Sequence, residues 1–219
     1  MSATAPLKIV AVSAGLSSPS STRLLADRLA GAARERLEAG QDRRVDVRVV
    51  ELRDLAVDIA NNLVTGFPPR ALKEAVEAVT EADGLIAVTP VFTASYSGLF
   101  KSFFDLIDHT ALTGKPVVLA ATGGTARHSL VLEHALRPLF AYLRAVTLPT
   151  SVYAASEDWG SSGDEYTEGL PSRIQRAGGE LASAVLGRTV SGASGAPGPD
   201  DGEDVVVPFE QQLAGLRLD

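Results

Sequence analysis

The sequence predicts an α/β protein built on a doubly wound, five-stranded parallel sheet in the order 2-1-3-4-5, with a C-terminal extension. Three observations carry this. Apolar runs alternate one for one with helix-periodic segments, which is the pattern of successive βαβ units. Three of those runs, LKIVAVSA (7–14), GLIAVTP (84–90) and KPVVLAAT (115–122), are almost continuously apolar, as strands covered on both faces must be. At 219 residues and 45% hydrophobic content, the chain can bury one such core.

The elements follow in order. After the first apolar run, STRLLADRLAGAARERL (21–37) sets Leu25, Leu29, Ala32, Ala33 and Leu37 on one helical stripe. VDVRVVEL (45–52) alternates like a strand near a sheet edge, and a loop carrying Pro68 and Pro69 comes next. RALKEAVEAVTEA (70–82) reads as a helix ahead of the strand at 84–90, and SGLFKSFFDLID (97–108) as a helix after it. The strand at 115–122 leads into a long helix over 128–145, then a last strand over 146–156. Within that long helix, Pro138 has no N–H for the carbonyl of His134, so a kink or bulge is expected there. EDWGSSGDEYTEGL (157–170) reads as a polar loop, and 171–187 as a helix weakened by Gly178 and Gly179. The domain is therefore bounded at 1–187; 188–204 is a Gly-, Ser- and Pro-rich flexible linker. The apolar segment 205–219 is expected to dock on this subunit or a neighbour.

Composition excludes several classes. There is no cysteine, hence no disulfide scaffold, thiolate metal site or cysteine nucleophile. His109, His128 and His134 form no zinc spacing, and no metal is expected. A formal charge of −7 without a basic stripe argues against nucleic acid. No run reaches the roughly 18 apolar residues of a membrane span, and the N-terminus lacks signal-peptide character, so a cytoplasmic protein is expected.

In an open parallel sheet, ligands bind beyond the carboxyl ends of the strands where the strand order reverses. Three loops lie there: SAGLSSPSST (13–22), TPVFTASYS (89–97) and ATGGTARHS (121–129). The first is dense in hydroxyls but lacks the lysine of a P-loop and the G-x-G-x-x-G of dinucleotide domains. Ser13, Ser20, Ser21 and Thr22 at a helix start suit a terminal phosphate, although one of them also serves as an ordinary cap. In the second, Pro90, Val91 and Phe92 are apolar where solvent favours polar residues; they suit a flat ring system, core packing or a subunit contact. In the third, Thr122, Gly123 and Gly124 make either a tight turn or a close approach to a flat ligand. One ligand satisfying all three loops has a phosphate at one end and a large flat ring at the other, which is FMN.

At these residues the chain resembles the NAD(P)H-dependent FMN reductases, and within them the branch supplying reduced flavin to two-component alkanesulfonate monooxygenases. The matching stretches are S-x-T at Ser20–Thr22 after SAGLSSP, ADGLIAVTPVFTASYSGLFKSFFDLID (82–108) and LAATGGTARHSLVLEHALRPLFAYLRA (119–145). The resemblance implies a flavodoxin-like FMN-binding domain. FMN phosphate would lie on the first loop, the isoalloxazine against Pro90, Val91, Phe92 and Thr93, and Thr122–Gly124 at its other side. It also implies NADH or NADPH as hydride donor, a homodimer or homotetramer, and a partner monooxygenase that receives reduced flavin. His134 stands where some members carry a tyrosine tied to a π-helical bulge, so His134 and Tyr96 are expected at an interface or as modulators of the flavin. No side chain is needed as acid or base for hydride transfer, so no catalytic residue is expected; backbone amides would stabilise the reduced ring. Two rival readings are a quinone or azo reductase with tightly held FMN, and a flavodoxin-type electron carrier in which Trp159 and Tyr166 of the acidic loop flank the ring.

Overall fold

The computed structural model describes residues 5–39, 43–160 and 168–191. The sheet runs β2 (Val45–Glu51), β1 (Leu7–Ser13), β3 (Gly84–Phe92), β5 (Pro116–Gly123) and then a last strand in two pieces, β6 (Val146–Thr147) and β7 (Val152–Ala155). All these pairings are parallel, which is the flavodoxin-like order expected. The last strand is broken over residues 148–151, around Pro149, although the Leu148 N–H still donates to the Val117 carbonyl of β5; both pieces pair with β5.

Side chains of β1 alternate between two cores. Leu7, Ile9 and Ala11 face α1 (Ser21–Ala39) and α6 (Leu170–Ser191), while Val10 and Val12 face the opposite layer. That opposite layer contains α2 (Ala56–Thr65), α3 (Arg70–Glu81), α4 (Gly98–Phe104) and α5 (Arg137–Tyr142). Its centre is aromatic: Phe104 lies 4.7 Å from Phe100 and 4.9 Å from Phe140, ring centre to ring centre. Such pairs add directional preference to simple area burial. At the amino ends of the strands, far from the three loops, the buried Lys115 amine donates to the Ala82 carbonyl, and burial pushes its pKa down to about 8.

Several sequence expectations are corrected. Residues 52–69 are not a plain loop: a 3-10 turn at Leu52–Leu55 leads into α2, which closes on Gly66 in the left-handed region at φ 76°. The α2 pattern is hard to read because Val57, Leu63 and Val64 are exposed and only Ile59 is buried. The helix expected over 97–108 stops at Phe104. The segment 128–145 is not one helix; a 3-10 turn at Ala126–His128 precedes a π-helix at Leu132–Leu136 and then the short α5. The expected bulge is present and its cause is local. Pro138 cannot donate to the His134 carbonyl, and the Arg137 N–H bonds the Leu132 carbonyl, five residues back. α6 continues through 188–191, residues expected in the linker, and is not interrupted at its glycines. The rest of the linker, 192–204, and the apolar segment 205–219 lie outside the described residues. None of the described helices is long and apolar enough to cross a membrane.

Gly178 accounts for the tolerance of α6 to glycine. A Cβ there would lie 2.7 Å from the Ala32 Cβ and 2.8 Å from its backbone, so the missing side chain lets α1 and α6 touch. Gly178→Ala is therefore expected to cost about 1–3 kcal/mol by overpacking, despite its gain in helix propensity. Gly179→Ala, which meets nothing within 4 Å, is expected to be neutral or stabilising. Urea titration of the two variants checks the contrast.

Candidate functional site

Parallel strands β1, β3 and β5 end side by side, so their three following loops form one crevice. At its base Ser13 is 1% exposed, and its hydroxyl has no hydrogen-bond partner among the described residues. A buried hydroxyl left unpaired is costly, which marks a position where a bound polar group would supply the partner.

The first loop is held in a tight fold. A Cβ on Gly15 would sit 2.0 Å from the Ser20 Oγ and 3.0 Å from the Thr22 Cβ, so only glycine fits beneath the start of α1. Gly15 was not singled out in the sequence; its signal is steric and shows only in three dimensions. Ser20 caps α1, accepting from the Arg23 N–H at 3.2 Å. Its hydroxyl hydrogen remains available to an anion, so the cap and the phosphate seat are compatible roles. Ser21 is exposed at the first position of the helix. Thr22 is placed differently from its neighbours: 2% exposed, its hydroxyl lies 2.8 Å from that of Thr122 on the third loop. The side chain ties two loops together across the crevice.

The second loop is a β-hairpin, a feature the sequence does not announce. β3 runs through Pro90 and Val91 to Phe92, turns at Thr93 and Ala94, and returns as β4 (Ser95–Tyr96). Thr93 and Ala94 have φ of 48° and 64°, the handedness of a two-residue hairpin turn, in which Asn-Gly would be the familiar signal. The hairpin is pinned at its root: the Thr89 hydroxyl accepts from the Ser97 N–H at 3.0 Å and donates to the Pro90 carbonyl at 2.9 Å. Tyr96 pairs with Val91 and lies 6.0 Å from Phe100, so it anchors the hairpin on α4. Pro90 is buried, Val91 half-buried, and Phe92 is 45% exposed at the tip of the strand. The strand therefore ends in an exposed apolar tip, Phe92, on a braced support.

In the third loop neither glycine has a positive φ. Gly123 is needed for another reason: a Cβ there would lie 2.1 Å from the Tyr153 hydroxyl, which donates to the Thr125 carbonyl at 2.8 Å. Burial, with a smaller contribution from the Asp158 charge, raises the Tyr153 pKa and keeps the phenol a donor. Gly124 has open space where its Cβ would be, leaving room for a flat group to approach the backbone. Thr122, Gly123 and Gly124 thus divide into a tie, a notch for Tyr153 and an open approach.

Two cavities flank the crevice. One, about 410 Å³, lies between the hairpin turn and the π-helix and is lined by Ala94, Ser95, Arg127, His128 and the exposed His134. The other, about 680 Å³, lies on the outer side of the first loop and includes Ser20, Ser21 and Trp159. None of its walls comes from Pro90–Thr93, and Tyr166 lies outside the described residues. The arrangement fits FMN: hydroxyls and helix N–H groups at one end, an apolar wall and open glycine backbone at the other, and an orphaned hydroxyl between.

Comparison with known proteins agrees. The family model described as NADPH-dependent FMN reductase matches residues 7–160. An FMN reductase (NADPH) of Pseudomonas aeruginosa is 43% identical over 189 residues, covering 85% of this chain and 96% of the relative. The NADH-dependent FMN reductase SfnF of Pseudomonas fluorescens is 41% identical, covering 83% and 93%. Among solved structures, an oxidoreductase from Corynebacterium diphtheriae superposes with a TM-score of 0.78 at 46% identity, covering 84% of this chain and 99% of that one.

The Gly123 notch yields a test. Gly123→Ala drives the Tyr153 phenol off the Thr125 carbonyl and is expected to weaken FMN binding about tenfold, the worth of one misplaced hydrogen bond. Tyr153→Phe in the same background, which removes the clashing oxygen, is expected to recover part of that affinity. Quenching of flavin fluorescence on binding measures both.

Proposed function

The chain belongs to the NADPH-dependent FMN reductase family, and on that premise we propose the assignment of its parts. It is an NAD(P)H-dependent FMN reductase: nicotinamide and flavin carry the chemistry, a hydride passing from one ring to the other. The protein supplies position. Ser20 and Ser21, with the N–H groups at the start of α1, hold the phosphate; Ser13 offers its buried hydroxyl deeper in the crevice. Pro90, Val91, Phe92 and Thr93 form the wall against one face of the ring. Gly124 leaves the backbone free to approach the ring edge, where its N–H group and those beside it would stabilise negative charge on the reduced ring. The Thr22–Thr122 bond keeps the phosphate end and the ring end at a fixed separation. Holding both rings in stacking geometry turns hydride transfer into a step between groups already in position.

The observation that carries this reading is the convergence of three differently built loops at the carboxyl ends of β1, β3 and β5, the first and third of them joined by that buried hydroxyl pair. Two finer assignments rest on the resemblance. The reduced flavin is released to an FMN-dependent monooxygenase, and the chain acts as a homodimer or homotetramer with Tyr96 and His134 near the subunit contact. The exposure of His134 beside the hairpin turn supports the second.

Steady-state oxidation of NADH and NADPH by flavin-free protein, with FMN titrated from zero, is the direct test. Hyperbolic dependence of rate on added FMN is expected. Flavin binding without nicotinamide oxidation would favour the electron carrier; turnover that persists with retained FMN and needs a quinone would favour the tightly bound alternative.

A further inference from the structure

The cavity on the outer side of the first loop has far more room than a phosphate group needs. At about 680 Å³ it falls within the range of small-molecule sites. Its inner rim is Ser20 and Ser21, shared with the phosphate seat, and its outer wall is the exposed side of α1 together with Trp159. Three guanidinium groups line it, Arg23, Arg28 and Arg53, against two carboxylates, Asp27 and Glu51.

These charges are not equivalent. Arg23 is bound by both carboxylates, at 2.9 Å from Asp27 and 2.5 Å from Glu51. Arg53 contacts Asp54 at 3.3 Å and Glu51 at 3.9 Å, and donates to the Ser17 carbonyl at 3.0 Å, which braces the loop. Arg28 has no carboxylate within ion-pair distance among the described residues. Its guanidinium instead lies 5.2 Å from the centre of the Trp159 ring. A planar cation over an indole, without an ion-pair partner among the described residues, in a cavity also lined by serine hydroxyls, is chemistry suited to a purine carrying a phosphate.

We propose that this cavity receives the adenosine end of the nicotinamide dinucleotide, the purine against Trp159 and the 2′-phosphate on Arg28, so that the chain prefers NADPH to NADH. The inference rests on the reductase reading above, which supplies the nicotinamide end. Sharing Ser20 and Ser21 with the flavin phosphate seat places the two nucleotides next to each other. Repulsion of a 2′-phosphate by Asp27 and Glu51 is lessened because both carboxylates are paired, Asp27 with Arg23 and Glu51 with Arg23 and Arg53.

Trp159 is the single tryptophan of the chain, so its emission reports this cavity alone. The experiment titrates flavin-free protein with 2′,5′-ADP, 5′-AMP and inorganic phosphate, reading tryptophan fluorescence, in the natural chain and in Arg28→Ala and Arg28→Lys. Saturable quenching by 2′,5′-ADP is expected, weaker by about tenfold in affinity for 5′-AMP and for Arg28→Ala, with partial recovery in Arg28→Lys. In the FMN reductase assay, the NADPH-to-NADH ratio of kcat/KM is expected to fall by about the same factor in Arg28→Ala, through KM rather than kcat. No quenching by 2′,5′-ADP, equal affinity for 5′-AMP, or an unchanged coenzyme ratio in Arg28→Ala would overturn the proposal. Quenching as expected without any FMN-dependent oxidation of either nicotinamide would instead overturn the reductase reading and leave the nucleotide cavity standing.

Discussion

The ligand end of the molecule depends on one buried hydroxyl pair, Thr22 and Thr122, 2.8 Å apart. Thr22 sits on the first turn of α1 and Thr122 near the end of β5, with β3 between their strands, so the bond spans the width of the crevice. Both are nearly inaccessible to water, where a hydroxyl without a partner costs 1–3 kcal/mol or so. Neither loop can shift outward alone without leaving such a hydroxyl behind. The hairpin between them is held by a different device, the Thr89 hydroxyl bridging the Ser97 amide and the Pro90 carbonyl. Three loops are thus fixed by two small polar contacts set in an apolar sheet. That is how a scaffold of buried strands presents a rigid site on otherwise irregular segments.

Rigidity in this site coexists with local backbone strain. Thr93 and Ala94 occupy the left-handed region without being glycine, which costs of order 1–3 kcal/mol for each such residue. The hairpin tip they form carries Phe92 outward and faces the cavity before the π-helix. The π-helix itself follows from Pro138, whose missing N–H shifts the hydrogen-bond pattern upstream. Strained turn and widened helix lie against each other, with Ala94 and Ser95 from one and His134 and Ala135 from the other lining a single cavity.

Much of this was legible in the sequence. The continuous apolar runs gave the buried strands and their parallel order, because only strands covered on both faces can dispense with alternation. Pro138 gave the irregular helix, since a proline's missing donor is a local fact. The loops that form the crevice followed from topology alone. What stayed hidden is what depends on distant neighbours. α2 buries only Ile59 and keeps its other large apolar side chains outside, so no amphipathic pattern marked it. The hairpin at 92–95 lacks glycine or asparagine and is imposed by pairing with β3. Gly15, Gly123 and Gly178 are required by contacts with Ser20, Tyr153 and Ala32, residues 5, 30 and 146 positions away. The contact of Arg28 with the Trp159 ring is likewise set by the fold, between residues far apart in the chain.

The central claim is that the Thr22–Thr122 bond sets the spacing between the phosphate seat and the ring wall. Calorimetric titration of FMN onto the natural chain, Thr22→Val and the double variant Thr22→Val/Thr122→Val tests it most directly. The account predicts a loss of roughly tenfold or more in FMN affinity for the single variant, which strands the Thr122 hydroxyl. It predicts a smaller loss for the double variant, where no buried hydroxyl is left unpaired. Equal FMN affinity in all three, with the variants folded, would contradict it.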